Sequence, residues 1–110
     1  MLMIGANSED VQLCNQLAVM CHENNFKIIF ISQEEELISN LDYVVVDIDL
    51  NMSLAMDMCK KYSGIDCRIF AVTAMPTKST ILEAKEAGCL MVLTKSNFAA
   101  NLADIINRSK

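Results

Sequence analysis

Short apolar runs alternate with amphipathic stretches along the whole chain. Leu2-Met3-Ile4 is apolar, and the polar cluster Asn7-Ser8-Glu9-Asp10 after it signals a helix start. From Val11 the apolar residues recur at Cys14, Leu17, Ala18 and Cys21, a helical spacing that Glu23-Asn24-Asn25 ends. Lys27 to Ile31 predicts a β-branched strand. Ser32 with Glu35 has the form of a capping box, which predicts a short helix there. Leu41 to Ile48 predicts another strand, whose Val44-Val45-Val46 centre does not alternate with polar residues. Strands covered on both faces, as in parallel sheets, have that pattern. Asn51 or Ser53 starts a helix that runs through Met58 and Cys59 to Lys60-Lys61. Arg68 to Ala74 is a fourth strand, broken by Pro76-Thr77. Ser79 or Thr80 starts a helix through Ile81, Leu82 and Ala84, with Gly88 at its C′ position. Leu90 to Thr94 is a fifth strand, and Phe98 to Arg108 a last helix.

Five strands alternating with five helices predict an α/β fold with a doubly wound parallel sheet. At 110 residues, this is a single domain spanning 1–110. In such sheets, sites lie beyond the carboxyl ends of the strands. Those ends carry Ala6 and Asn7, Ser32, Asp47 to Asp49, Thr73 and Ala74, and Lys95 and Ser96.

Composition removes several classes. The net charge of −5 argues against a nucleic-acid partner held by clustered basic residues. No apolar stretch is long enough for a membrane span or a signal peptide, so a cytoplasmic protein without a membrane partner is expected. The five cysteines are odd in number and form no C-x-x-C, which argues against a disulfide framework or a zinc ribbon. They read as small buried hydrophobes. The lone His22 cannot build a nucleophile–histidine hydrolase, and three scattered glycines cannot write a dinucleotide or P-loop motif.

Asp47 closes a strand of valines, where a buried carboxylate needs a partner. Thr73 closes the fourth strand, and Lys95 the fifth. This constellation resembles the receiver domains of two-component response regulators, along the whole chain. Asp47 in V-V-V-D-I-D matches the family's phosphoacceptor. Thr73-Ala74 in A-V-T-A matches its Thr/Ser-small pair, and Lys95 in E-A-G-C-L-M-V-L-T-K its lysine. The resemblance implies a CheY-like, flavodoxin-like sheet of order 2-1-3-4-5 with helices on both faces. It implies a phosphorelay chemistry in which Asp47 attacks a phosphoryl group beside magnesium. Lys95 would pair with one phosphoryl oxygen and Thr73 hydrogen-bond another.

The departures are as informative. The family's acidic pair after the first strand is replaced by Ala6 and Asn7, and only Asn7 offers an oxygen to a metal. Glu9 and Asp10 come later and read as a helix start. Asp49 joins the site only if its side chain turns inward; otherwise it faces solvent or caps the next helix. Asp47, Asn7 and Asp49 therefore make a weak magnesium site at best. The family's proline after the lysine is Ser96, and its aromatic switch position is Val92. With no metal, Lys95 is free to pair with Asp47 and hold one conformation.

The expected function is an atypical, pseudo-receiver module of two-component signalling, not an enzyme. It would bind a histidine kinase or downstream effector through the last face, where family members commonly homodimerise. The methionines read first as core filler and loop contacts and the lysines as solvated helix residues; an adaptable surface of Met52, Met56 and Met75 near the pocket, and a basic strip of Lys78, Lys85 and Lys95 along that face, are the alternatives. An active phosphoacceptor modified on Asp47 is the alternative. A small flavodoxin-like ligand carrier is another, disfavoured because no phosphate-binding loop follows the first strand.

Overall fold

The computed structural model describes residues 2–32, 37–65 and 67–109. In chain order the elements are β1 (Met3–Asn7), α1 (Val11–Glu23), β2 (Lys27–Phe30), β3 (Tyr43–Asp47), α2 (Met52–Ser63), β4 (Arg68–Thr73), α3 (Lys78–Glu86), β5 (Met91–Thr94), α4 (Lys95–Ala100) and α5 (Leu102–Arg108). The helix expected around Ser32–Glu36 falls at 33–36, outside the described residues. All strand pairs are parallel, in the order β2-β1-β3-β4-β5, the expected topology.

Strand alternation splits the core into two layers. Val44, Val46, Ile69 and Ala71 face α2 and α3, packing with Ala55, Met56, Cys59, Tyr62 and Ala84. Tyr43, Val45, Phe70 and Val72 face the other way, with Leu13, Leu17, Phe98, Leu102 and Ile106 of α1, α4 and α5. Every residue of β3 is buried, which explains its unbroken apolar reading. Cys21, Cys59 and Cys89 are buried, Cys14 and Cys67 are only half-buried, and none of the five is in a disulfide. Met56 belongs to the core and Met52 packs against it, so of the three methionines proposed as a surface only Met75 is exposed.

Helix ends correct the expected boundaries. Asp10, not Asn7 or Ser8, caps α1, its side chain accepting from the Leu13 amide. Asn51 caps α2 as expected, but Thr77 caps α3 in place of Ser79 or Thr80. Gly88 follows α3 with φ +107°, and a Cβ there would sit 2.5 Å from the Cβ of Ser63. Glycine suits both the left-handed backbone and the close approach.

The last helix starts three residues earlier than expected. Lys95 is already helical, and Thr94 caps it by accepting from the Asn97 amide at 3.2 Å. A proline after the lysine would have pushed Lys95 out of helical conformation; Ser96 does not. The helix breaks at Asn101, whose φ and ψ are −121° and 23° and whose side chain folds back onto the Asn97 carbonyl at 3.0 Å. The five described helices thus include two from the one expected at the end.

Candidate functional site

The carboxyl ends of β1, β3, β4 and β5 meet at Lys95. Its ammonium nitrogen lies 3.1 Å from Asp10 Oδ2, 3.1 Å from Asp47 Oδ2 and 3.2 Å from Asp49 Oδ2. Starting α4 at Lys95 places this side chain over the ends of β1 and β3. Asp10 reaches it because a capping aspartate has two oxygens: Oδ1 accepts from Leu13, and Oδ2 is left for Lys95.

Asp47 is buried, and donors cover both of its oxygens. The Ser8 hydroxyl donates to Oδ2 at 2.6 Å, on the same oxygen that Lys95 approaches. The Asp49 amide donates to Oδ1 at 2.9 Å, an Asx-type turn that folds residue 49 back over the site. Ser8 also accepts from the Asp10 amide at 3.0 Å, tying the acceptor to the start of α1.

Asp49 turns inward rather than to solvent or the next helix. Its Oδ1 accepts from the Thr73 hydroxyl at 2.5 Å and its Oδ2 from the Ala74 amide at 2.8 Å. Thr73 is buried at the end of β4, so this bond satisfies a hydroxyl that water does not reach.

The charges answer one another. Burial pulls the Lys95 pKa down, but its bonds to Asp47 and Asp10, Asp47's charge and its bond to Asp49 outweigh burial and leave it raised. Burial pushes Asp49 up, yet hydrogen bonds from Thr73, Ala74 and Lys95 leave it below the usual carboxylate range. Asp10 is lowered, first by the Leu13 amide and then by Lys95.

No protein-family model and no curated protein sequence matches the chain. Among solved structures, a two-component response regulator from Clostridium difficile superposes with TM-score 0.81, 23% identity, and coverage of 100% of this chain and 99% of that one. The chain has the fold of a response-regulator receiver domain. A protein assigned to pilus assembly in Burkholderia thailandensis matches with TM-score 0.80 and 20% identity over 98% of this chain and 97% of that one. A Burkholderia pseudomallei response regulator, solved with a phosphorylated aspartic acid and a calcium ion, matches with TM-score 0.71 and 14% identity over 99% of this chain and 73% of that one.

Within this receiver fold the structure unites Asp47, Thr73, Lys95 and Asp49 in one network and adds Asp10 and Ser8, which sequence reasoning left outside. Asp10 was visible as an acid, but only its capping geometry reveals the spare oxygen. Asn7 stays apart from the network. Its amide nitrogen donates to the Ile31 carbonyl at 2.9 Å, and its Oδ1 is buried without a hydrogen-bond partner. Lys95 is not part of a basic strip with Lys78 and Lys85, which lie exposed on α3.

The residues present do not fit a resident magnesium ion. Its place among the carboxylates is taken by the ammonium, and no group of three His, Cys, Asp or Glu among the described residues is arranged to hold a metal. One neutral oxygen from Asn7 does not replace an acidic pair.

Proposed function

We propose that the chain is an atypical receiver module of two-component signalling that works by protein–protein interaction without needing phosphorylation of Asp47. The observation carrying this reading is the Lys95 ammonium among three carboxylates, with Asp47 Oδ2 also covered by Ser8. An attacking oxygen needs a free lone pair and a cation to neutralise the incoming phosphoryl group. Here three donors, from Ser8, Lys95 and the Asp49 amide, already sit on the Asp47 carboxylate, and the cation is tethered. In the Burkholderia pseudomallei neighbour an aspartic acid is phosphorylated and a calcium ion is present. The present strand ends favour the opposite outcome for Asp47.

The partner surface is α3 with the segments beside it: Leu82 on α3 is 61% exposed, Met91 on β5 is 41% exposed, and Met75 and Leu90 in the segments before α3 and β5 are 80% and 45% exposed. Exposed apolar side chains are suited to protein contact. A shallow groove of about 660 Å³ runs along α3 between Lys78 and Lys85. Apolar contacts flanked by lysines suit an acidic amphipathic partner, a kinase or effector segment, in the cytoplasm.

A magnesium titration followed by amide spectra tests the site directly. The resonances of Asp47, Ile48 and Asp49 are expected to stay in place through millimolar magnesium. Saturable shifts at these residues would show a working metal site and overturn the reading.

A further inference from the structure

Thr73 and Lys95, the two donors that the family resemblance assigns to a phosphoryl group, are already engaged by an anion of this chain. The Thr73 hydroxyl, the Ala74 amide and the Lys95 ammonium all converge on the Asp49 carboxylate, at 2.5, 2.8 and 3.2 Å. They come from the end of β4 and from the residue directly after β5. We propose that Asp49 is a built-in stand-in for the phosphoryl group, positioning Thr73 and the β4–α3 junction in one fixed state.

The chemistry is direct. A carboxylate, like a phosphoryl group, offers anionic oxygens to hydroxyl, amide and ammonium donors. The bonds are charge-assisted, which favours one arrangement over alternatives. Asp49 lies over the site because its own amide is held by Asp47 Oδ1 at 2.9 Å. Asp47 thus serves as the anchor of a short turn, and Asp49 as the anion presented to Thr73. The position two residues after the strand-end aspartate acquires a role that alanine cannot fill and that asparagine fills only in part. Downstream, the Ala74 amide opens the segment that carries exposed Met75 and leads into α3. Fixing Thr73 and Ala74 therefore fixes the start of the proposed partner face.

This inference rests on the reading that Asp47 is unmodified, and its test uses a different observable. Amide and methyl spectra, amide exchange and thermal unfolding are recorded for the wild type, Asp49→Ala, Asp49→Asn and Asp47→Asn. Asp49→Ala is expected to speed exchange at Ala74 roughly tenfold or more, the size of a lost charge-assisted hydrogen bond. It should also move the Thr73 methyl and spread shifts through α3 and β5. Asp49→Asn keeps an oxygen for Thr73 and Ala74 but no charge, so smaller changes with the same pattern are expected. Asp47→Asn should leave Thr73 and Ala74 near their wild-type positions. Unchanged Thr73 and Ala74 signals in Asp49→Ala, or shifts confined to 48–50, would overturn the stand-in role. Should Asp49→Ala fail to fold, an unchanged Ala74 in Asp49→Asn would overturn it equally. A phosphoryl adduct on the wild type would instead defeat the reading beneath it, while the Ala74 exchange comparison would still report on Asp49.

Discussion

Lys95→Met is expected to lower the unfolding free energy by about 3 kcal/mol, a drop of roughly 15 °C in Tm for a domain of this size. Methionine keeps the length of the stem and removes the ammonium, with its charge and its hydrogen-bond donors. Three carboxylates then crowd one spot without a cation, where Lys95 had approached them at 3.1, 3.1 and 3.2 Å. The cost is not shared equally. The Asp10 and Asp49 side chains are 33% and 36% exposed, so water and salt screen them. The Asp47 side chain is only 3% exposed and bears most of the penalty. Thermal unfolding by circular dichroism measures the effect. A variant as stable as the wild type would show that the ammonium is not what holds these strand ends together.

Phe70→Ala is expected to cost about 4 kcal/mol, in the range for truncating a buried aromatic side chain. Phe70 is fully buried in β4 and stacks on Tyr43 of β3 with ring centroids 5.7 Å apart. On its other side Phe98 of α4 lies tilted at 5.5 Å. Truncation removes the centre of this stack and leaves a void against β3 and α4. It also loosens α4, the short helix that begins with Lys95, so the site should suffer as well as the core. Denaturant unfolding gives the free energy. Amide exchange at the start of α4 should rise beyond the change at α2, which packs on the other face of the sheet. A loss below about 1 kcal/mol would mean that the layer collapses around the missing ring.

The sheet was legible in the sequence because a parallel strand buried on both faces has no polar positions to hide it. The Val44-Val45-Val46 run placed β3 and, with it, Asp47. Thr73 followed because it ends β4, which pairs in register with β3, and Lys95 because it comes directly after β5. Gly88 was legible for a related reason: a left-handed C′ position selects for glycine. What stayed hidden was set by hydrogen bonds rather than by periodicity. Whether Asp10 or Ser8 caps α1 depends on local geometry that Asn7-Ser8-Glu9-Asp10 leaves open, and that choice decides which oxygen faces Lys95. Asp49 was legible as an acid but not as an inward one. Its direction comes from the turn that Asp47 imposes and from a Thr73 hydroxyl that needs an acceptor. The early start of α4 follows from Ser96, a residue whose meaning is the restriction that it fails to impose.

The proposed function stands on Asp47 being an engaged structural acid and not a working phosphoacceptor. Intact-protein mass after incubation with a small acyl phosphate and magnesium, run beside Asp47→Asn, measures that property. No phosphoryl adduct on either protein is the expected result. An adduct on the wild type that is absent from Asp47→Asn would contradict it and restore phosphotransfer to this site.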